Sequence, residues 1–357
     1  MLLNIAILAT GHEVVAGDIL NTNTQKIAYD LSSNGLHVVT HVSCRDIMDE
    51  MLAALSFLAS YDVIITIGGL GPTCDDITRF AIAKHFKLEL LENSVAHQHL
   101  KDFQKQVSSL NIKNRKQETL FPKKSLLLDN PFGTALGAWI EAQHQTIVML
   151  PGPPRECLPM WEQQVLPKLI KKVSPGLPWM RWLVFGIPEA ALVDDLDALL
   201  KDIPHELGYR CSLPYVEIKV QASEAYRAEI QLILDTYCQG KQFFKNEKAS
   251  DALKNYLKDQ SVKFSIKDNL TGGLLEATLM NPDMHHRLSF REEYEPHFNI
   301  SGLHDYWHQI EPKEHLACFF QIGEHLDKYD PTSRSAFLPH YAMEWACYCI
   351  LKYLKRY

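Results

Sequence analysis

Asp62-Val63-Ile64-Ile65-Thr66-Ile67-Gly68-Gly69-Leu70-Gly71-Pro72-Thr73-Cys74-Asp75-Asp76 is the stretch that decides the fold. Residues 62–67 are almost wholly apolar and β-branched, which suits a strand covered on both faces in a parallel α/β sheet. The next residues are too rich in glycine and proline to continue it, and a helix pattern begins beyond them. In an open α/β sheet ligands bind past the carboxyl ends of the strands, where glycines let backbone N–H groups approach a phosphate closely. The loop is not a Walker loop, because no Gly-Lys-Ser/Thr follows, and it is not a dinucleotide fingerprint. Asp75 and Asp76 place a carboxylate pair at its edge. Acids beside a phosphate repel it unless a divalent cation lies between them, so the combination points to Mg2+ or a similar hard metal. A tight turn followed by an Asp helix cap is the other reading of the same residues.

Working outward, residues 4–9 form a short β-rich run ending in Thr10-Gly11. Residues 21–33 put Ile27, Ala28 and Leu31 on one helical face, with Asn34-Gly35 as the stop signal. A second strand is expected over 37–43 and a second helix over 46–60. A further strand over 145–150 runs into the breaker Pro151-Gly152-Pro153-Pro154, and a helix carrying Trp161, Val165 and Leu169 closes the region. In a parallel sheet, the loops after the first and third strands leave on the same edge. Glu13, Asp18, Asn21 and Asn23 would then face Asp75 and Asp76 across one crevice, with Asp46 joining from the second strand. Taken singly, each also reads as a cap or a solvated turn residue.

The texture changes at Ser174-Pro175-Gly176-Leu177-Pro178. Beyond it come a strand-like run (182–185), a helix (190–200), a strictly alternating run (215–220) and a helix to about Tyr237, together a small α+β module. A charged stretch, 241–250, leads to a third region that ends in an aromatic, helical run, 341–357. Three domains are expected: 1–172, 173–246 and 247–357. With 36 Lys and Arg against 43 Asp and Glu, the net charge is −7, which argues against a broad nucleic-acid surface. The eight cysteines are scattered, as expected of reduced thiols. Met1-Leu2-Leu3-Asn4-Ile5 has no basic n-region, and no apolar stretch is long enough to span a bilayer, so a cytoplasmic protein with no membrane contact is expected. His285, His286, His297, His304, His308, His315 and His325 lack a fixed ligand spacing and read as surface and packing histidines. Trp307, Phe319, Phe320, Trp345 and Tyr348 read as core or dimer-contact aromatics.

Six blocks occur here in the order seen in the competence/damage-inducible CinA family. They are Ile7-Leu8-Ala9-Thr10-Gly11-His12-Glu13, Gly17-Asp18-Ile19-Leu20-Asn21-Thr22-Asn23, the Gly68 to Asp76 loop, Asn114-Arg115-Lys116-Gln117, Asn130-Pro131-Phe132-Gly133-Thr134-Ala135, and Leu150-Pro151-Gly152-Pro153-Pro154. Over roughly its first 170 residues the chain resembles that family. The resemblance implies the molybdopterin-binding fold shared with MoaB and MogA, a three-layer α/β domain with a mostly parallel sheet. It also implies metal-dependent hydrolysis of ADP-ribose to AMP and ribose 5-phosphate, with Asp46 and Asp76 matching the acidic positions of the MogA-like branch. Gly186-Ile187-Pro188-Glu189-Ala190 and Leu207-Gly208-Tyr209-Arg210 resemble the family's small KH-like module. No basic Gly-x-x-Gly loop accompanies them, so a spacer is expected rather than an RNA reader. Full-length relatives end in an α/β nicotinamide mononucleotide deamidase domain with the motif Glu-Ser-x-Thr-Gly-Gly. Here the stretch is Asp268-Asn269-Leu270-Thr271-Gly272-Gly273, and Asn269 cannot supply the serine nucleophile, so that activity is expected to be lost.

The expected function is therefore a divalent-metal-dependent pyrophosphohydrolase, using Mg2+, Mn2+ or Co2+, acting on a nucleotide-sugar diphosphate as a homodimer. Glu13, Asp46, Asp75 and Asp76 are the candidates for metal and water. Gly68, Gly69, Gly71, Pro72, Thr73, Gly133, Thr134 and Gly152 are candidates for substrate and phosphate, Asn21 and Asn23 for orientation, and Arg115 and Lys116 for charge stabilisation. The alternative is a non-catalytic nucleotide- or molybdopterin-binding scaffold, since binding a phosphate needs no water-activating acid.

Overall fold

The computed structural model describes residues 3–106, 112–172, 176–281, 284, 286–291, 293–310, 315–331 and 337–355. Ser174, Pro175 and His285 lie outside the described residues. The chain divides into two compact units, Met1–Trp179 and Met180–Tyr357.

The first unit is a three-layer α/β domain. It starts with β1 (Ile5–Thr10), α1 (His12–Ala16), α2 (Thr22–Ser33), β2 (Val38–Cys44), α3 (Met48–Phe57), β3 (Val63–Ile67) and α4 (Thr78–Phe86). It continues with β4 (Leu90–Glu92), α5 (Ser94–Gln106), β5 (Leu120–Pro122), β6 (Leu126–Leu128), β7 (Gly137–Ala142), β8 (Gln145–Leu150), α6 (Pro154–Met160) and α7 (Leu166–Lys172). The main sheet has the order β2-β1-β3-β8-β7-β6. β2, β1, β3 and β8 run parallel, and β7 is antiparallel to both of its neighbours. Successive side chains of a strand point to opposite faces, and each central strand accordingly feeds two cores. Ala6, Leu8, Ile64 and Ile147 pack with Met51, Leu55 and Ile82 on one side. Ile5, Ile7, Ile65 and Val148 pack with Ile27, Leu31 and Trp161 on the other. Every residue of β1, β3 and β8 is buried, as expected of the interior of a parallel sheet, whereas β2, at the edge, alternates. Asn21 caps α2 by accepting from the Thr24 N–H at 3.1 Å.

Two details depart from the sequence reading. The helix expected after Pro154 is interrupted: Pro159 lies inside α6 and removes a backbone donor, and Trp161–Val165 follow as a widened π turn before α7. Strands β6 and β7 extend the sheet beyond β8 where no strand was read.

The second unit begins with β9 (Met180–Phe185), α8 (Glu189–Leu200), β10 (Glu206–Ser212), β11 (Tyr215–Gln221) and α9 (Glu224–Cys238). The three strands form an antiparallel sheet, β10-β11-β9, whose core includes Trp182, Ile218, Leu196 and Leu234. The strict alternation read at 215–220 does not give an exposed polar face. Glu217 is only 4% exposed, because Arg181 and Arg210 on the flanking strands close over it at 3.0 and 2.9 Å.

Next come α10 (Ala249–Asp259), β12 (Phe264–Asn269), α11 (Leu274–Leu279), β13 (Leu288–Ser289), β14 (His297–Gly302), α12 (His304–Trp307), β15 (Cys318–Ile322), β16 (His325–Tyr329) and α13 (Leu338–Leu354). Their five-stranded sheet has the order β13-β12-β14-β15-β16, parallel across the first three strands and antiparallel beyond. Helix α13 is buried along nearly its whole length and carries one carboxylate, Glu344, into that core. The Tyr215 hydroxyl of β11 donates to Glu344 Oε2 at 2.9 Å, and the Ser250 N–H and hydroxyl donate to its two oxygens at 3.0 and 2.7 Å. The same tyrosine oxygen accepts from the Ala249 N–H at 3.0 Å. Burial, with the Glu344 charge beside it, pushes the Tyr215 hydroxyl far above its ordinary range. Around this node Phe185 packs against Phe243, Tyr329 and Tyr341, and Phe243 stacks on Tyr348.

Candidate functional site

At the carboxyl edge of the first sheet, Gly68 ends β3 by donating its N–H to the Leu150 carbonyl of β8 at 3.0 Å. Gly68 and Gly69 have φ of +103° and +65°. A Cβ on Gly68 would lie 2.6 Å from the Thr10 carbonyl oxygen, and one on Gly69 would lie 2.2 Å from Thr78 Oγ1. Only glycine lets the loop turn this close to β1 and α4. Thr78 fastens the turn from below, its hydroxyl donating to the Gly68 carbonyl at 2.8 Å and its N–H to the Gly69 carbonyl at 3.1 Å. Beneath the loop lies Arg79, fully buried, donating to the Leu70 carbonyl at 2.7 Å and lying 5.0 Å from the centre of the Phe121 ring. Burial pushes its guanidinium down to about 10, against the pull of Glu118 and Asp76, so it stays cationic at neutral pH.

The loop forms one wall of a cleft of about 340 Å3. Among the described residues six carboxylates line it, Glu13, Asp46, Asp75, Asp76, Glu118 and Glu156, and no lysine, arginine or histidine does. Asp46 is hydrogen-bonded by Thr10 and His12 and Asp75 by Thr73, and three more of the six are partly engaged. Asp76 closes the loop by accepting from the Thr73 N–H and hydroxyl at 2.8 and 2.6 Å. Glu118 accepts from Arg115 at 3.0 Å and from the Thr134 hydroxyl at 2.8 Å. Glu156 accepts from the Asn130 amide at 2.9 Å. Burial pushes the Asp46 carboxyl above the usual carboxylate range, the Glu13 charge adds to the rise, and His12 opposes it from 3.6 Å. Burial, with Asp46 and Glu50 alongside, pushes the Cys44 thiol up to about 11, which removes it as a nucleophile.

A second cavity of about 310 Å3 shares Thr10, Glu13, Gly152 and Pro153 with the first. Val14, Ile19, Leu20 and Ile67 make it more apolar, and Asn21 and Asn23 line it. Asn23 donates to the Gly152 carbonyl at 2.7 Å, tying the two walls together.

The sequence-derived candidates divide accordingly. Glu13, Asp46, Asp75, Asp76, Gly68, Gly69, Gly71, Pro72, Thr134 and Gly152 line the acidic cleft, and Asn21 and Asn23 line its neighbour. Thr73 holds Asp76 from outside the lining. Gly133 stands behind Glu156, with a Cβ there falling 2.0 Å from Glu156 Oε2. Arg115 is turned to Glu118 and Thr134, and Lys116 to Glu92 at 3.0 Å, neither lining the cleft. Sequence reasoning passed over Glu118, Glu156 and Arg79. The first two sit next to quoted blocks, at Gln117-Glu118 and Pro154-Arg155-Glu156, and that adjacency was the available signal.

Among the described residues, no three His, Cys, Asp or Glu side chains are grouped as a preformed cation cage. Mg2+ keeps several waters and is bound through one or two carboxylates plus substrate phosphates. Asp46, Asp75, Asp76 and Glu13 are the acids of the cleft wall that could hold such an ion.

Residues 6–171 match the family profile described as "Probable molybdopterin binding domain". Competence-damage inducible proteins of Clostridium kluyveri and Clostridium botulinum are 33% and 32% identical over 293 and 295 residues, each covering 77% of this chain and 70% of the relative. The chain belongs to the competence-damage inducible (CinA) family. Among solved structures, the CinA protein of Thermoplasma acidophilum is 26% identical with a TM-score of 0.42, covering 48% of this chain and 97% of that one. MoaB of Pyrococcus furiosus, named as a tungsten cofactor synthesizing protein, is 19% identical with a TM-score of 0.31, covering 48% and 91%. The residues matched by that profile, 6–171, include all those that line the acidic cleft and its neighbour. No helix among the described residues is long and apolar enough to cross a membrane.

Proposed function

We propose that the first unit is a divalent-metal-dependent pyrophosphohydrolase acting on ADP-ribose or a related nucleotide-sugar diphosphate. The observation that supports this reading is the charge of the cleft: among the described residues, six carboxylates and no cationic side chain line it beside the glycine loop. An anion enters such a site only with positive charge of its own, and a diphosphate–metal complex meets that condition. When bound, Mg2+, Mn2+ or Co2+ neutralises phosphate charge and draws electron density from phosphorus. The chain's own groups do the rest. The amides around Gly69 and Gly71 receive phosphate oxygens, and Asn21 and Asn23 orient the remainder of the substrate in the more apolar neighbour. Asp46, whose burial favours its protonated form, takes the proton of the attacking water. Water adds its oxygen to one phosphorus, the bridging P–O bond breaks, and AMP and ribose 5-phosphate leave.

Purified protein incubated with ADP-ribose and each of the three metals is expected to release AMP, and Asp46→Asn to lose that release. Wild-type activity in Asp46→Asn removes Asp46 from the mechanism. A non-catalytic nucleotide or molybdopterin binder is the second reading, favoured by the description of the matched domain. Calorimetric binding without turnover under all three metals would establish it over the first. We also infer that the second unit does not deamidate nicotinamide mononucleotide, because Asn269 offers no hydroxyl for an acyl-enzyme. Ammonia release from that nucleotide would overturn this.

A further inference from the structure

The loop after β3 turns three successive carbonyls towards the start of α4. The Gly68 carbonyl accepts from the Thr78 hydroxyl at 2.8 Å, the Gly69 carbonyl from the Thr78 N–H at 3.1 Å and the Leu70 carbonyl from Arg79 Nη2 at 2.7 Å. Cis peptide bonds among the described residues are confined to Leu213-Pro214 and Glu295-Pro296, so the peptide units carrying these carbonyls are trans. In a planar trans peptide the N–H points opposite to the C=O of the residue before it. The N–H groups of Gly69, Leu70 and Gly71 therefore point away from Thr78 and Arg79. The acidic cleft lies on that side: Gly69, Leu70 and Gly71 line it, and neither Thr78 nor Arg79 does. Successive amides turned to one side around a residue of positive φ form a concave anion seat.

Thr78 fixes the first two peptide units with neutral groups, whereas Arg79 fixes the third with a charged one. The Arg79 side chain is fully buried, and its Nε and Nη1 have no hydrogen-bond partner among the described residues. Its bond through Nη2 goes to a neutral carbonyl, so the charge is not spent on a carboxylate in contact with it. A guanidinium buried in this way costs free energy that an uncharged donor to the same carbonyl would avoid. What the charge adds is a positive field behind amides that face an anion, in a place where water does not screen it. The six carboxylates of the cleft wall repel an anion from the front; Arg79 attracts it from behind the loop.

We propose that Arg79 is a positioning residue for phosphate: through the Leu70 carbonyl it aims the Gly71 N–H at a phosphate oxygen, and from behind the loop it adds positive charge to the seat. The proposal rests on the reading that this cleft holds a diphosphate, and it is independent of whether that diphosphate is hydrolysed. Arg79 serves the amide side of the phosphate, and the carboxylate side is left to the cation that enters with it. The roles of the two α4 residues are separable, because Thr78 governs the Gly69 and Leu70 amides and Arg79 governs that of Gly71.

The test uses the full chain labelled with 15N-glycine, and pyrophosphate with Mg2+ as the probe. In wild type the amide proton resonances of Gly69 and Gly71 are expected to move downfield on titration, while that of Gly323, in the second unit, stays in place. In Arg79→Met the Gly71 resonance is expected to stay in place while that of Gly69, held by Thr78, still moves. Calorimetry should show pyrophosphate binding weakened by about tenfold or more, the size of one lost hydrogen bond to a charged group. Arg79→Lys, which keeps a cationic donor, should recover the Gly71 shift and most of the affinity. Arg79→Gln is neutral, and its amide nitrogen ends two bonds short of Nη2; it should behave as Arg79→Met and replaces it if circular dichroism shows the methionine variant unfolded. A Gly71 resonance unmoved in wild type, or a wild-type shift and affinity in the neutral variants, overturns the proposal. Equal losses in Arg79→Lys and the neutral variants reduce Arg79 to packing and overturn it as well. Pyrophosphate binding with the expected shifts but no AMP from ADP-ribose refutes the hydrolase reading and leaves the role of Arg79 standing.

Discussion

Replacing Gly69 by alanine tests whether the glycine loop is held in one conformation. At φ +65° an alanine pays the left-handed penalty, and its Cβ falls 2.2 Å from Thr78 Oγ1, an atom that cannot retreat without giving up its bond to the Gly68 carbonyl. Left-handed strain costs about 1–2 kcal/mol and overpacking about 1–3 kcal/mol, so the total loss is about 2–5 kcal/mol. For a unit of this size each kcal/mol moves the midpoint by roughly 2–4 °C, which puts the expected fall on the order of 10 °C. Gly152→Ala is the matched control: its Cβ would meet only the Gly68 Cα, at 3.7 Å, and its φ is not positive. Scanning calorimetry on both variants reads the difference directly, as the lower of the transitions where two are resolved. The reasoning is refuted if Gly69→Ala melts within a degree of wild type, or if Gly152→Ala falls as far.

Asp46→Asn is expected to raise the melting temperature at pH 7.5. The folded-state pKa of Asp46 lies above its unfolded value, so its stabilising contribution is complete below the unfolded pKa and is lost as pH rises through the folded one. The gain should shrink towards zero below about pH 4, and a loss of stability at neutral pH would contradict the burial argument. Asp30→Ala removes the acceptor of the fully buried Trp161 indole, 3.1 Å away, and the partner of Lys26 at 2.7 Å; urea unfolding should show a loss of about 1–3 kcal/mol. Gly133→Ala drives a Cβ into the Glu156 carboxylate and should cost about 1–3 kcal/mol by the same assay, with Mg2+ affinity also changed if Glu156 contributes to the cleft field.

The parallel heart of the first unit was legible because β1, β3 and β8 are apolar throughout and each ends in a glycine or proline breaker. β6 and β7 were not. Leu126–Leu128 is three residues long, and Gly137–Ala142 is antiparallel yet buried on both faces, so neither shows the alternation that marks an antiparallel strand. The acids from three loops could be assigned to one edge from strand order alone. Lys116 could not be assigned, because its partner Glu92 is close only through the pairing of β4 with β5. Of the aromatics read as core or dimer contacts, Phe320 and Trp345 are buried, Tyr348 stacks on Phe243, and Trp307 is 41% exposed.

Glu344 has a consequence for how the second unit comes apart. Its carboxylate sits in an apolar core and is satisfied by β11 and by the start of α10, so neither the three-stranded sheet nor the helical layer can open without leaving a charge stranded away from water. The unit should lose both sheets in a single transition, and a protease acting on the native protein should release no intact fragment carrying only one of them.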